Sequence, residues 1–490
     1  MPPAKEVLAG LDPAPVWNYF AQLTAIPRPS KDEARVRDWV RNIAKQHGWS
    51  AREDQVGNVV FTVPASPGFE KADLLALQSH LDMVCEKNSD VQFDFSRDPL
   101  NLRIVGDEVR ATGTTLGADN GIGVCAMLAV ATSPDLRRPP LELVFTIDEE
   151  TGLTGAAAIS PELVRARRMI NLDSEEDDIL YIGCAGGRTS TLRFVRPLSP
   201  AGQGDAAATV SVSGLRGGHS GGEIHLGRAN SNRLLARILR RATFPLRVAS
   251  LDGGNKHNAI PREAAAVVLV ARADLPKLRA LAEAAVRELR AQFAEVDEGL
   301  ACTVADRPGA APAALSPEDS VALLDLVNAL PDGVLGMSRA ITGLVETSNN
   351  VAVVESKPAD GRFEAMIVAS SRSSSAPHLT AVLDQVAAAA RLAGAKVATA
   401  DGYPGWQPNP NSPLLEVCRR VYSQEFGVEP HVTAIHAGLE CGVIGERVGG
   451  MDMISFGPTI RAPHSPDENV SIKSVQKFWR YLRAVLAALA

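Results

Sequence analysis

The sequence lacks the patterns that mark several classes of protein. No two of its six cysteines form a Cys-x-x-Cys pair, which argues against a disulfide framework or a structural zinc finger. It has no run of five basic residues and its net charge is −7, so we expect no nucleic-acid partner. No stretch approaches about 18 consecutive apolar residues, the length of a membrane span. Since the first residues also lack a signal pattern, we expect a cytoplasmic protein without a membrane partner.

The chain is long enough for more than one hydrophobic core. Its 490 residues are 45% hydrophobic and 22% charged, which is ordinary for a globular protein. Because single cores stop growing at about 250–300 residues, we expect two or three domains.

Metal-capable side chains follow several apolar segments that are predicted strands. The segments and the residues that follow them are 73–79 with His80 and Asp82, 143–147 with Asp148, Glu149 and Glu150, and 169–172 with Asp173. Asp119 lies in a turn-rich loop just before an apolar helix. Ligands of open α/β sheets bind at the carboxyl ends of strands, so one shared site is expected. Crowded carboxylates resist ionising together unless a cation compensates them, although one acidic stretch alone could be a solvated turn.

Local patterns give finer expectations. His80 and Asp82 are two residues apart and would share one face of a strand, whereas Glu149 and Glu150 would point to opposite faces and serve different roles. Residues 30–33, Ser-Lys-Asp-Glu, have the spacing of a capping box, which predicts a helix that ends near His47.

The order of predicted elements indicates an interrupted domain. Strands and helices alternate in residues 1–186 and again in 398–490, which predicts one α/β domain built from both segments. Residues 187–397 carry short strands with interleaved helices and predict an inserted α+β domain. Its element order suggests two copies of a small β-α-β-type unit.

Several motifs resemble those of a known family. The first set is His80-Leu-Asp82, Gly117-Ala-Asp-Asn-Gly121, Asp148-Glu-Glu-Thr-Gly152, Asn171-Leu-Asp-Ser-Glu175 and Pro463-His-Ser465. This set is similar to the metal motifs of the co-catalytic zinc peptidases, which include aminoacylases, carnosinases, tripeptidases and cytosolic dipeptidases. The second set is Gly214-Leu-Arg-Gly-Gly-His-Ser-Gly221, Lys256-His-Asn-Ala-Ile-Pro261, Tyr403-Pro-Gly-Trp406 and Ile435-His-Ala-Gly-Leu-Glu-Cys-Gly442. This set resembles the bacterial aminoacyl-histidine dipeptidase branch of that family.

The resemblance implies a fold and a metal centre. The fold would be a zinc-exopeptidase-like three-layer α/β catalytic domain with an inserted α+β lid domain, which could contain two ferredoxin-like repeats. Two divalent metal ions would bind per chain: zinc, with cobalt or manganese as alternatives. The implied roles are as follows: Asp119 bridges the two metals, His80 and Asp173 bind one, Glu150 and His464 bind the other, Asp82 orients His80, and Glu149 is the general base. A cis peptide bond is implied between Asp119 and Asn120.

The resemblance also implies substrate-binding residues in the inserted domain. His219 would reach the site of a neighbouring subunit and polarise the scissile carbonyl, which implies a homodimer. Asn258 and Arg372 would bind the carboxylate end of the substrate, with the backbone of Gly438 nearby. The implied substrates are unblocked dipeptides, including carnosine-like Xaa-His peptides.

Other functions stay open from the residues alone. The same scaffold could carry an N-acyl-amino-acid deacylase or a tripeptidase. Residues 218–222 match the G-x-S-x-G elbow of serine hydrolases, which would make Ser220 a nucleophile, but no helix follows directly. A catalytically silent metal- or peptide-binding protein is the last alternative, and the presence of Glu149 beside all five ligand candidates argues against it.

Overall fold

The computed structural model describes residues 3–359 and 361–490. The helices are α1 Ala4–Val7, α2 Ala14–Leu23, α3 Ala34–Gln46, α4 Ala118–Thr132, α5 Glu149–Gly152, α6 Thr154–Ala158, α7 Ser231–Arg240, α8 Leu275–Gln292, α9 Pro317–Ala329, α10 Ala376–Leu392, α11 Pro413–Phe426, α12 Glu440–Arg447 and α13 Ile472–Leu489. Among the described residues, no helix combines the length and the hydrophobicity needed to cross a bilayer.

The strands complete the set of regular elements. They are β1 Ser50–Glu53, β2 Val59–Val63, β3 Leu75–His80, β4 Leu102–Val105, β5 Glu108–Ala111, β6 Leu141–Thr146, β7 Arg168–Asn171, β8 Ile179–Cys184, β9 Gly186–Pro197, β10 Asp205–Ser213, β11 Gly218–His219, β12 Arg247–Gly253, β13 Ala259–Ile260, β14 Ala264–Ala271, β15 Ala301–Arg307, β16 Gly333–Met337, β17 Val345–Ala359, β18 Arg362–Ser373, β19 Lys396–Thr399, β20 His431–Ile435, β21 Asp452–Ser455, β22 Ile460–Arg461 and β23 Asn469–Ser471.

The chain divides into two compact units. The first unit contains Met1–Cys184, Trp406–Ala434 and Leu439–Ala490, and the second contains Ala185–Gly405 and Ile435–Gly438. The catalytic and lid roles predicted for these parts of the chain stay predictions.

The first unit is built on an eight-stranded mixed sheet. Its order is β1-β2-β6-β3-β7-β21-β8-β20, and the four strands β6, β3, β7 and β21 are mutually parallel where they pair. Strands β3 and β6 are buried at every position, as expected for parallel strands that are covered on both faces. The carboxyl ends of these parallel strands therefore meet at one edge of the sheet.

The start of helix α3 differs from expectation. Helix α3 begins at Ala34, but no side chain caps it, so the predicted capping box is wrong. The Ser30 hydroxyl donates instead to Asp82 Oδ2, and Glu33 Oε1 accepts from the backbone N–H of Asp148. Both side chains satisfy polar groups near the sheet edge rather than their own helix.

A small antiparallel sheet forms a separate part of the first unit. Its order is β22-β23-β5-β4, and the loop from residue 462 to 468 joins β22 to β23. Within this loop Ala462 and His464 have positive φ angles, a conformation that non-glycine residues rarely adopt. The hairpin thus holds His464 on a specific, uncommon turn.

The second unit contains a nine-stranded antiparallel sheet with two similar halves. One half has the order β15-β10-β14-β12 and the other has β19-β9-β18-β17. Numbered along the chain, both read 4-1-3-2, and in both the helices follow the first and third strands, as in a β-α-β-β-α-β ferredoxin-like unit. The first half is inserted between β9 and α9 of the second. The shared strand order shows that the repeat suggested by the element order is present in the topology.

The core of the second unit is continuous across both halves. Leu192, Val210, Leu235, Leu323 and Val386 belong to one buried apolar cluster. These residues come from strands and helices of both halves. One continuous core therefore lies between the sheet and the helices that pack on it.

Candidate active site

The predicted metal ligands lie together at the carboxyl edge of the first unit's sheet. His80 is the last residue of β3, and Asp173 follows β7 by two residues. Asp119 begins the kinked first turn of α4, and the Asp119–Asn120 peptide bond is cis, as the resemblance implied. Within each of the groups His80–Asp119–Asp173 and Asp119–Glu150–His464, the ligand atoms lie within 4.8 Å of one another.

Asp119 lies between two histidines and turns one oxygen to each. Its Oδ1 is 3.1 Å from His80 Nε2, and its Oδ2 is 3.1 Å from His464 Nε2. His80 Nε2 is also 3.3 Å from Asp173 Oδ1, and His464 Nε2 is 3.0 Å from Glu150 Oε2. This divides the cluster into two halves that share one carboxylate.

The carboxylates of the cluster favour positive charge on their neighbours. Hydrogen bonds to Asp119 and Glu150 raise the pKa of His464 to about 11. Burial opposes protonation of His80, but Asp173 and Asp119 still raise its pKa well above the ordinary value. Burial would raise the pKa of Asp119, yet its bonds to His464 and His80 lower it. A divalent cation would supply this positive charge while the imidazoles stay neutral, which is the form that binds metal.

The cluster also contains buried carboxylate oxygens with spare capacity. Glu150 Oε1 has no hydrogen-bond partner within the described residues, and Asp173 Oδ1 has the 3.3 Å contact to His80 Nε2 but no regular hydrogen bond there. Carboxylate oxygens and imidazole nitrogens are the ligands that Zn²⁺, Co²⁺ and Mn²⁺ accept. The residues present therefore fit a pair of divalent cations that share Asp119.

Glu149 and Glu150 begin a single helical turn instead of continuing a strand. Strand β6 ends at Thr146, Asp148 has a left-handed conformation, and α5 starts at Glu149, so the expectation of opposite strand faces is wrong. Asp82 accepts hydrogen bonds from the N–H groups of both glutamates, at 3.2 and 3.3 Å. Its other neighbour is His80, whose Nδ1 lies 3.3 Å from Asp82 Oδ1.

The two glutamates face different surroundings within that turn. Glu150 joins the His464 half of the cluster, whereas Glu149 belongs to a third group of close ligand atoms with His80 and Glu150. Burial raises the pKa of Glu149 well above its ordinary range, and the nearby Asp173 and Glu440 add to the effect. A carboxyl with a raised pKa can hold and release a proton near neutral pH.

Sequence patterns did not reveal Glu440, which lies beneath the cluster. It is fully buried, accepts from Gln78 Nε2 at 2.5 Å and from Thr146 Oγ1 at 2.7 Å, and burial raises its pKa to about 8. Its partners stand two residues before His80 and Asp148. Its place in the 435–442 motif was the only signal in the sequence.

Comparison with known proteins identifies the family. The sequence model of peptidase family M20/M25/M40 matches residues 76–488 of the chain. The chain belongs to this family. It is therefore a peptidase, and the predicted family of metallopeptidases is confirmed.

Two relatives resemble this M20 peptidase over nearly its whole length. The cytosol non-specific dipeptidase of Escherichia coli (strain K12) is 41% identical over 483 residues, which are 98% of each chain. The crystal structure of aminoacylhistidine dipeptidase from Vibrio alginolyticus is 37% identical and has a TM-score of 0.91, with 98% of each chain covered. The aminopeptidase PepT of Bacillus cereus, with a TM-score of 0.59, 15% identity and 98% and 99% coverage, shares the fold. The predicted α/β fold with an inserted α+β domain is confirmed.

In the second unit of this M20 peptidase, Arg372 lies in a polar cluster of its own. Arg372 is 7% exposed, its guanidinium donates to the Tyr403 hydroxyl at 2.8 Å, and its Nε has no hydrogen-bond partner among the described residues. Among the described residues, no carboxylate lies within ion-pair distance of it. Since an unpaired buried cation is costly, the cluster fits an anionic ligand.

The other residues predicted for the inserted domain lie around the same cluster. A Cβ added to Gly221 would be 3.0 Å from His219 Cε1 and 3.3 Å from Arg372 Nε, so these side chains are near neighbours. Gly438 lies against the Tyr403 ring. The Asn258 carbonyl accepts from the Ser220 N–H at 2.8 Å, beside the short β11–β13 pair. Burial and Arg372 lower the pKa of His219.

The serine-hydrolase alternative finds no support at Ser220. Its hydroxyl is buried and forms no hydrogen bond to a base among the described residues. A serine nucleophile needs a general base within hydrogen-bond reach. The family membership independently makes this peptidase a metal-type enzyme.

Proposed function

We propose that the chain is a cytoplasmic, metal-dependent dipeptidase that hydrolyses unblocked dipeptides, with Xaa-His peptides among its substrates. The proposal rests on the position of Asp119, whose two carboxylate oxygens each contact one histidine of the cluster. Glu149 lies beside this cluster. The names of the two full-length relatives, a cytosol non-specific dipeptidase and an aminoacylhistidine dipeptidase, support the substrate class and the compartment.

The residues would divide the work as follows. His80, Asp119 and Asp173 would hold one divalent ion, and Asp119, Glu150 and His464 the other, with zinc as the first choice and cobalt or manganese as alternatives. The bound cations would supply Lewis-acid polarisation of the scissile carbonyl and activation of water. Glu149 would take a proton from the attacking water and deliver it to the leaving amine. Asp82 would fix the imidazole orientation of His80.

The second unit would supply substrate recognition. Arg372 would bind the free carboxylate of the dipeptide in a bidentate manner, and Asn258 and the Gly438 backbone would contribute polar contacts. His219 would polarise the carbonyl in the site of a neighbouring subunit. We propose a homodimer on this ground. The edge strand β16, with exposed Val334, Leu335 and Met337, offers this unit an apolar surface.

Substitution of Glu149 tests the catalytic assignment. Glu149→Gln should lower kcat by about 10²–10⁴-fold, because the variant keeps the shape of the side chain but cannot accept the proton. Metal content should stay at two ions per chain. Glu150→Gln should instead lower metal content. Wild-type turnover by Glu149→Gln would remove Glu149 from the mechanism.

A panel of related substrates tests the activity itself. A dipeptide, its N-acetylated analogue and a tripeptide should be assayed with and without a chelator. Cleavage of only the free dipeptide, abolished by the chelator, is expected. Preferential cleavage of the acetylated compound would identify a deacylase, preferential cleavage of the tripeptide a tripeptidase, and full metal loading without hydrolysis a binding protein.

An amidated substrate tests Arg372. The wild type should discriminate strongly against a C-amidated dipeptide, whereas Arg372→Ala should cleave both forms poorly and almost equally. Arg193→Ala is the matched control, because Arg193 is an exposed arginine of the same unit that pairs with Glu364. Undiminished discrimination by Arg372→Ala would contradict the assignment.

Mixing two inactive variants tests the shared site. His219→Ala and Glu149→Gln should regain activity together if His219 acts in a neighbouring subunit, because mixed dimers contain one intact site. Subunits must be exchanged by mild denaturation before the assay. No regained activity in verified mixed dimers would place His219 in its own subunit's site or outside catalysis.

A further inference from the structure

The loop that carries Asp119 is held on one side by a buried carboxylate. Glu468 Oε2 accepts from the N–H groups of Leu116 and Gly117 at 2.7 and 2.9 Å. Glu468 Oε1 accepts from Ala118 and Asp119 at 2.8 and 3.2 Å. The side chain is 2% exposed. One carboxylate therefore binds four consecutive N–H groups at the start of α4, where negative charge is favourable.

A buried guanidinium holds the same loop from its carbonyl side. Arg28 Nη2 donates to the Gly117 carbonyl at 2.5 Å, and Nη1 donates to the carbonyls of Leu81 and Asp82 at 2.9 and 2.6 Å. Arg28 is also 2% exposed. Its rigid planar fork therefore connects the loop before Asp119 to the loop after His80.

Gly117 is adapted to this arrangement. Its φ of 65° lies in the left-handed region, and an added Cβ would come within 2.5 Å of Arg28 Nη2 and 2.8 Å of Met83 Sδ. The backbone thus passes so close to the guanidinium that a side chain would displace it. The close approach indicates that the position of this loop is tightly defined.

We propose that Glu468 and Arg28 are positioning residues that fix the backbones of Asp119 and Asp82 for metal binding. The inference rests on the metal-ligand set of the proposed function. Asp119 must present its two oxygens in two directions at once, so a shift of its backbone displaces a ligand of both metal positions. Neither residue belongs to the predicted ligand set, and the hydrogen bonds of both to these loops go to main-chain groups.

The test compares Glu468→Gln with Glu142→Gln. Glu142 is a matched control, because it is 1% exposed and also accepts backbone N–H groups, those of Arg165 and Ala166, but near the start of β6, away from the site. Metal affinity is measured by competition with a chelator, and Tm is measured in excess chelator. We expect Glu468→Gln to weaken metal binding at both positions by about 10–100-fold. Glu142→Gln should lower Tm while its metal affinity stays within about threefold of wild type.

Two further variants separate the possible failures. If wild type and Asp119→Asn bind metal equally, the proposed ligand set is wrong. If Asp119→Asn loses metal but Glu468→Gln binds it like the control variant, the ligand set stands and the positioning inference is overturned. Should Glu468→Gln not fold, Arg28→Lys replaces it: this variant keeps the charge but lacks the planar fork, and wild-type metal affinity in it would equally overturn the inference.

Discussion

At the scale of single residues, the proposed active site centres on one carboxylate that contacts two histidines. Asp119 is bonded to His80 through one oxygen and to His464 through the other. The two histidines differ in environment, since His80 is buried and His464 is 51% exposed as a side chain. A metal held on the His464 side would therefore exchange with solvent more readily than one on the His80 side.

Glu440 should make the stability of the metal-free protein depend on pH. The ordinary pKa of 4.5 rises to about 8 in the folded protein, because burial disfavours the charge. The folded state then binds a proton that the unfolded state has released, so this contribution is complete below pH 4.5 and is lost as the pH rises through 8. Glu440→Gln should remove this dependence, with a relative gain of about 1–3 kcal/mol in unfolding free energy between pH 5 and 8.

Urea unfolding in excess chelator at pH 5, 6, 7 and 8 measures this difference. Wild type and Glu440→Gln are compared at each pH, so that the contribution of acids that do not interact with Glu440 cancels in the difference. Parallel curves for the two proteins would show that Glu440 does not take up a proton on folding.

The types of residue in the site were predictable from the sequence. The residues that hold the loops of the site in place, Glu468 and Arg28, were not. Predicted ligands such as His80 and Asp173 lie at or just after the ends of apolar strands, which is a pattern in the sequence. Glu468 and Arg28 act on main-chain N–H and C=O groups, and any residue type can supply those groups. The sequence therefore contains no second pattern that would reveal the pairing.

At the scale of elements, short helices and residues in the left-handed conformation position the side chains of the site. Asp148 and His464 both have positive φ angles, which regular strands and helices do not contain. These two residues change the chain direction where Glu149, Glu150 and His464 enter the cluster. The prediction of a continuing strand failed at Glu149 because periodicity describes the apolar part of β6 and carries no information about the turn that follows. Helix α4 was predictable, since a long apolar segment follows a glycine-rich loop.

Gly123 tests how closely α4 must approach the sheet. A Cβ at this position would lie 2.5 Å from Ser79 Oγ and 2.8 Å from the Leu172 carbonyl. Gly123→Ala should therefore cost about 1–3 kcal/mol by overpacking, although alanine favours helices. Gly152→Ala is the control, because its nearest atom would be 3.8 Å away. Chemical denaturation of the metal-free variants gives both values, and equal stabilities would contradict the close packing.

At the scale of the whole molecule, the proposed metal ligands all belong to one unit. His80, Asp119, Glu150, Asp173 and His464 lie in the first unit, whereas Arg372 and His219 lie in the second. The interrupted domain could be predicted from the order of strands and helices. The pairing of β12 with β17, which joins the two halves of the second unit into one sheet, could not, because its ladder register rests on the single pair Gly253 and Val354 and leaves no pattern in the sequence.

Removal of metal should affect the two units differently. Ligand at 100 times its Kd adds about 2.7 kcal/mol to stability, which corresponds to about a hundredfold in exchange protection. A chelator should therefore accelerate hydrogen exchange in β3, β6 and β7 and leave the core strands of the second unit unchanged. Asp119→Asn, which should not retain metal, provides the control and should respond little. Uniform acceleration throughout the wild-type chain would contradict this expectation.

The long inserted segment, residues 185–405, is flanked by two residues of the first unit that face each other. Cys184 and Trp406 exchange both backbone hydrogen bonds, each 2.9 Å long. Partners of this kind have Cα atoms about 5.5 Å apart, a gap that a turn of a few residues can close. Seen in this way, more than two hundred residues between them occupy the position of a hairpin loop. A single event in such a turn is therefore enough to acquire, exchange or enlarge the inserted segment, and it leaves the strands that carry the predicted metal ligands unaltered.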